Sequence, residues 1–155
     1  MVLLVPIVSL VAIALARTPP EIAALNEGSD ASISGRYEEA LRRYDAAIAL
    51  APRWNVAHCA RGEVLIKMRR YKDATDSFKE CIRLEPRDLD GKASLAIALL
   101  YACDYTEAQV ALDALDRAKS NHPRVLQNGE WVRARLKRAR ALGGRCLSER
   151  EIEAS

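Results

Sequence analysis

The chain has 155 residues, half of them hydrophobic and 29% charged, which fits one folded domain and argues against intrinsic disorder. Only 5% of the residues are aromatic and two are histidine. This composition favours packed helices over a β-sandwich and argues against a multi-histidine metal site. The net charge is +3, and residues 123–155 hold 8 basic and 4 acidic side chains. Binding to nucleic acid would therefore depend on this last segment.

The first sixteen residues are uncharged and almost entirely aliphatic. As a helix they would span about 24 Å, less than the ~30 Å hydrocarbon core of a bilayer. The segment ends in Ala14-Leu15-Ala16, the small-x-small pattern that signal peptidases cleave, although no Lys or Arg precedes it. We therefore predict a cleaved signal peptide over residues 1–16 and a secretory route (periplasmic, secreted or membrane-tethered). The alternatives are an uncleaved short anchor that contacts a membrane, a buried helix that packs on the first repeat, and a misplaced start codon. The alternative location is cytoplasmic.

The four cysteines do not form a CxxC pair; they are Cys59, Cys81, Cys103 and Cys146. Three of them fall in predicted helices at equal intervals, which favours small buried apolar side chains. A disulfide stays open as an alternative if the chain is exported, but the spacing does not give its connectivity.

An internal repeat runs through the middle of the chain, and segments 21–54, 55–88 and 89–122 align without a gap. The residue pattern of each unit predicts two helices, for example over residues 55–69 and 71–84. Small residues recur where the two helices would touch, and they let the backbones approach to about 8–10 Å. The aligned columns are Gly28, Gly62 and Ala96; Tyr37, Tyr71 and Tyr105; Ala40, Ala74 and Ala108; and Tyr44, Phe78 and Leu112.

This pattern resembles the tetratricopeptide repeat, a helix–turn–helix unit that stacks into a right-handed α-solenoid. The resemblance covers residues 21–122 and implies an all-α fold. The first repeat has Ala24 where the family favours Trp. The third has Cys103 where a glycine would precede the tyrosine, and it lacks the closing proline. We expect three repeats within residues 18–122, then a basic capping helix (123–142) and a polar tail (143–155).

The capping helix should pack one apolar stripe on the third repeat, through Val125, Gly129, Val132 and Leu136. In the tetratricopeptide fold the first helix of each repeat lines an inner groove. Helical steps of 100° from Gly28, carried over to the matching positions of the later units, predict which side chains face that groove. They are Ile22, Leu25, Ser29, Ile33, Val56, Cys59, Glu63, Lys67, Asp90, Ala93, Ile97 and Tyr101, with Arg124, Gln127, Trp131 and Arg135 on the capping helix. The alternative is that these residues merely face solvent.

The sequence contains no Gly-rich phosphate loop, nucleophile elbow or HExxH motif, so we expect no enzyme and no cofactor. We expect instead a non-enzymatic module that binds a protein or peptide segment in the groove and is exported or membrane-associated. One alternative is a structural protein that self-associates through its N-terminus or cap. The other is polyanion binding by the basic helix. Single-stranded nucleic acid would need several aromatics beside the cations, and that helix has only Trp131.

Tetratricopeptide co-chaperones that grip the acidic tails of cytosolic chaperones use a clamp of Lys and Asn on the first repeat, Asn on the second, and Lys and Arg on the third. The matching positions here hold Leu25, Ser29, Ala60, Asp90 and Ser94. None of them matches, and Asp90 would repel a carboxylate. The comparison therefore predicts that the carboxylate clamp is absent.

Overall fold

The computed structural model describes residues 18–154, and these form eight α-helices with no strand among them. The helices are α1 (Pro20–Ile33), α2 (Tyr37–Leu50), α3 (Asn55–Lys67), α4 (Tyr71–Leu84), α5 (Leu89–Tyr101), α6 (Tyr105–Ala118), α7 (Pro123–Ala141) and α8 (Glu149–Glu153). Each of the first six helices packs on the next, and α7 packs on both α5 and α6. The expected all-α array of helical hairpins is confirmed.

The apolar residues 1–16 lie outside the described residues. Within residues 18–154, none of the helices is both long enough and apolar enough to cross a bilayer.

The seam inside each hairpin depends on a small residue on the first helix and a large one sixteen positions later on the second. A Cβ atom added to Gly28 would stand 2.6 Å from the Tyr44 ring, and one on Gly62 would stand 2.8 Å from the Phe78 ring. Carbon atoms make favourable contact at about 3.5–4.0 Å, so neither position has room for a side chain. The absence of a side chain on the first helix therefore makes room for the ring that seals the hairpin.

The turn inside each hairpin repeats with the same period. Gly35, Arg69 and Cys103 occupy the same position in successive units, and all three have a positive φ, of 74°, 60° and 64°. The N–H of the following residue bonds back to the helix in each case, as Arg70 does to the Leu65 carbonyl at 2.8 Å. This left-handed closure ends the first helix and reverses the chain. The side chains at this position differ, but the backbone conformation is the same in all three units. The third hairpin therefore closes in the same way, although Cys103 takes the place of a glycine.

All four cysteines form disulfides, so the interpretation of them as free apolar side chains is wrong. Cys59 on α3 is bonded to Cys81 on α4, with their Cα atoms 5.4 Å apart. Cys103 in the α5–α6 turn is bonded to Cys146, which follows α7, with their Cα atoms 5.3 Å apart. The sequence could not give this pairing, because it depends on which turns and helix faces meet in space.

The C-terminal residues fold back onto the last hairpin. Leu147 and Ile152 are 3% and 1% exposed, and they pack with Leu112, Val132 and Leu136 in one core cluster. The segment expected as a polar tail thus contributes apolar side chains to the core. In the expected stripe of α7, all four residues are buried: Val125, Gly129, Val132 and Leu136.

The tight seam predicts opposite effects of one methyl group at two helical glycines. Gly62→Ala should lower the free energy of unfolding by about 1–3 kcal/mol, because the methyl group displaces the buried Phe78 ring. At the matched control Gly129, an added Cβ lies 3.6 Å from Leu112, which is ordinary contact. Gly129→Ala should therefore raise the free energy of unfolding by up to ~1 kcal/mol, through helix propensity. Urea unfolding of both variants measures the difference, and equal changes would contradict the seam.

Candidate functional site

The first helices of the hairpins place most of the predicted groove residues where a ligand can reach them. Ile22, Ile33 and Val56 are 37%, 84% and 46% exposed, and the exposed polar residues of the row are Glu63, Lys67, Asp90, Arg124 and Gln127. The others that stay partly accessible are Leu25, Ser29, Ile97, Tyr101 and Trp131. We call this row of residues on α1, α3, α5 and α7 the inner face.

Three of the predicted residues are not available in the expected way. Ala93 is 1% exposed and packs with Leu115 and Val125, because α7 covers that side of α5. Arg135 is 7% exposed, and its Nε donates to the Ile152 carbonyl at 2.8 Å. Cys59 is bonded to Cys81 and so offers no thiol. The 100° spacing of residues along a helix predicted the direction of these side chains. It could not predict which other segments of the chain pack over them.

The inner face at the first two repeats combines apolar surface with fixed polar groups. The Ser29 hydroxyl donates to the Leu25 carbonyl at 3.0 Å and lies 3.4 Å from the Tyr44 hydroxyl, which donates to it. Burial raises the pKa of Tyr44 above its usual value. Lys67 donates to the Ser32 hydroxyl at 3.0 Å. These groups are held in place by the protein, whereas the apolar side chains beside them face solvent.

An aromatic ladder lies at the other end of the inner face. The rings of Tyr71 and Tyr101 stack with centroids 4.9 Å apart, and Trp131 lies 6.1 Å beyond Tyr101. The guanidinium of Arg135 covers the Trp131 ring at 4.3 Å, within cation–π range. We define the aromatic ladder as Tyr71, Tyr101 and Trp131. It joins the second hairpin, the third hairpin and α7 through their ring faces.

Helix α8 docks beside this ladder. The Tyr71 hydroxyl donates to the Glu149 carboxylate at 2.5 Å, and Arg69 forms an ion pair with the same carboxylate. Burial, and then the hydrogen bond to Glu149, raise the pKa of Tyr71 well above its usual value. Burial also raises the pKa of Tyr101, helped by the negative charges of Glu153 and Glu149. The sequence reasoning missed this contact, although the apolar Leu147 and Ile152 beside a Ser-x-x-Glu motif could have indicated a short packed helix.

One group of potential metal ligands occurs among residues 18–154. Asp88 Oδ2 lies 3.6 Å from the sulfur of Cys59 and 3.5 Å from that of Cys81, while its Oδ1 accepts from the Gly91 amide at 2.9 Å. Because the two sulfurs are bonded to each other, neither is the thiolate that a metal would require. In this state Asp88 acts as the N-cap of α5.

The start of α8 should be sensitive to acid. Arg145, and then the backbone amide and hydroxyl of Ser148, hold the pKa of Glu151 at about 2, against an ordinary value of 4.5. A depressed pKa stabilises the folded form above pH ~4.5, and this stabilisation is lost as the pH falls toward 2. The amide protection factors of residues 149–154 should therefore fall across that interval. In Glu151→Gln, which can keep the capping box but does not titrate, the loss of protection across that interval should be smaller, and an unchanged acid profile would contradict this assignment.

Comparisons with known proteins agree with this architecture. A family model described as a tetratricopeptide repeat matches residues 65–127. The chain is 31% identical over 121 residues to the Hsp70-Hsp90 organizing protein of Triticum aestivum, covering 76% of this chain and 21% of that protein. It is also 31% identical over 87 residues to the tetratricopeptide repeat and J domain-containing co-chaperone DNJ1 of Cryptococcus neoformans, covering 56% of this chain and 17% of that protein. The chain thus spans about a fifth of the length of these relatives.

Two solved structures share the fold at low sequence identity. The Sgt2 TPR domain from Aspergillus fumigatus superposes with a TM-score of 0.72 at 18% identity, covering 86% of this chain and 89% of that domain. The first TPR of Spaghetti (RPAP3), bound to the HSP90 peptide SRMEEVD, superposes with a TM-score of 0.68 at 14% identity, covering 76% of this chain and 94% of that one.

Proposed function

Because the chain belongs to the tetratricopeptide repeat family, we propose that it is a non-enzymatic interaction module that holds a protein or peptide segment on its inner face. One observation carries the proposal. Three of the large apolar side chains exposed in residues 18–154 lie at inner-face positions of the first two repeats. They are Ile22, Ile33 and Val56, at 37%, 84% and 46% exposure. Apolar contact there would supply affinity, and the nearby Glu63 and Lys67 would set the register of the ligand.

The ligand would lie toward the first two repeats, because α8 occupies part of the inner face at its other end. Ala93 and Arg135 are buried there, and α8 packs beside the aromatic ladder. The exposed inner face therefore runs from α1 to the start of α5, where Asp90 is exposed.

We propose that the ligand is not gripped by a carboxylate clamp. Asp90 is exposed at one of the clamp positions, where its charge would oppose an acidic C-terminus. Leu25 and Ser29 occupy two others, and the Ser29 hydroxyl already donates to the Leu25 carbonyl. Affinity for this ligand would accordingly come more from apolar contact than from charge pairing, and it would change little with salt concentration.

Binding of a polyanion by the basic helix α7 is less well supported, because several of its cationic side chains already contact other groups of the same chain. Arg133 forms a paired contact with Asp116 at 2.8 and 2.9 Å, and Arg140 donates to Gln109 at 2.7 Å. Arg135 and Arg138 donate to carbonyl groups of the C-terminal segment.

Export is a further part of the proposal, and both disulfides support it. Disulfides persist in oxidising compartments and are rare in reducing ones. If residues 1–16 are a signal peptide, the mature protein should begin at Arg17, and N-terminal sequencing of protein expressed in its native host measures this directly. A mature chain that retains Met1 and is recovered with reduced cysteines would contradict export.

A charge placed on the inner face should weaken ligand binding. Val56→Glu should weaken the affinity for a partner captured with the full chain by at least ~10-fold, because the carboxylate interrupts the apolar row. The matched control is Val110→Glu, since Val110 is 61% exposed on α6, away from the inner face. Biolayer interferometry measures both affinities, and circular dichroism checks that both variants fold.

The peptide SRMEEVD serves as a negative probe in the same assay, and we expect no measurable binding. Equal affinities of the two valine variants would place the ligand on another surface. Binding of SRMEEVD would contradict the proposed absence of a clamp.

A further inference from the structure

We propose that the acidic C-terminal helix α8 is a built-in ligand of the ladder end of the inner face, and that an external ligand can occupy this end only after α8 has left it. This inference rests on the proposed function, because it concerns a second part of the same binding surface. The surface consists of Arg69, Tyr71, Tyr101, Trp131 and Arg135, and its occupant in the structure is the segment 147–154.

The contacts of α8 are those of a bound peptide. The Glu149 carboxylate, whose side chain is 29% exposed, lies between the Arg69 guanidinium and the Tyr71 hydroxyl. Three residues later the Ile152 side chain is 1% exposed, and its carbonyl accepts from Arg135 Nε at 2.8 Å. The surface thus recognises one carboxylate, one aliphatic side chain on the same face of a helix, and one backbone carbonyl. An external ligand for this end would carry the same three groups.

Helix α8 is held by these contacts rather than by its own stability. It has five residues, and isolated helices below about 12–15 residues are marginal in water. Its capping box at Ser148 and its packing onto the core provide the order. Segments of this kind open at a lower free energy than the core helices do. The occupant can therefore leave while the three hairpins stay folded.

A covalent tether keeps the occupant near its site. The disulfide from Cys103 to Cys146 anchors the chain three residues before Glu149. A short tether of this kind gives an effective concentration of order mM, so a free peptide must compete against it. The tether ends before α8 begins, so it permits release of α8 without breakage of the disulfide.

Open space lies beside the occupied surface. A surface cavity of about 390 Å³ is bounded in part by Arg69, Tyr71 and Tyr101. An incoming chain could contact the ladder there before α8 has been displaced.

The test uses the oxidised full-length protein and a labelled peptide with the sequence of residues 147–154, LSEREIEA. In the unmodified chain the internal helix should keep the peptide out. In Glu149→Lys, the new charge repels Arg69 and releases α8, so the peptide should bind at least ~10-fold more tightly. The control Glu38→Lys makes the same charge change at an exposed side chain of the first hairpin that forms no ion pair among the described residues, and it should behave as the unmodified chain does.

Amide hydrogen exchange shows independently whether α8 is released. Residues 149–154 should lose protection in Glu149→Lys and keep it in Glu38→Lys, and Arg69→Glu combined with Glu149→Lys should restore it. If α8 is released but the peptide binds no better, the surface is not a ligand site and the inference is overturned. It is overturned as well if α8 is unprotected in the unmodified chain.

The proposed function fails by a different result, namely a partner whose affinity responds equally to Val56→Glu and Val110→Glu. Neither outcome of the peptide experiment produces that result, because the peptide reports on the ladder end and the valine variants report on the first two repeats.

Discussion

The ring of Tyr44 occupies the space where a side chain at position 28 would stand, and the ring of Phe78 does the same at position 62. The rest of the structure depends on this close approach. A hairpin of two helices cannot bury its own apolar face unless the helices lie close together, and each hairpin then offers its outer surface to the next. Where the third unit has Ala96 in place of glycine, its partner is Leu112 in place of an aromatic, so the total volume of the pair is kept.

The regular seam also positions the inner face. Since the first helices recur at a constant interval with the same turn geometry, equivalent positions on α1, α3 and α5 fall in register along one side of the stack. Ile22, Ile33 and Val56 are exposed there, whereas Gly28 and Gly62 on the same helices are buried in the hairpin seam. The inner face is therefore a consequence of the packing on the opposite side of the same helices.

The end of the stack is built differently. A terminal repeat has no neighbour to cover its apolar surface, and in this chain α7 and the segment after it provide the cover. The disulfide from Cys103 to Cys146 fixes where the chain returns, and the Arg135 side chain turns inward to bind the returning backbone. Arg138 also donates to carbonyl groups of this segment, so two arginines of α7 contact the returning chain. The same return brings an acidic helix against the aromatic ladder, so the cap also occupies part of the inner face.

The local periodic features could be obtained from the amino-acid sequence by itself. The constant repeat interval and the small-residue columns predicted the hairpins, and the predicted boundaries of Tyr71–Leu84 match α4. Helical steps of 100° placed Ile33, Glu63 and Lys67 on an exposed face, because side-chain direction follows from position along one helix. The disulfide pairs, the burial of Ala93 and Arg135, and the docking of Glu149 between Arg69 and Tyr71 were decided only by the tertiary structure. Each of these depends on a segment that is distant in the chain and near in space, and a repeating pattern carries no information about where the non-repeating end of the chain will fold back.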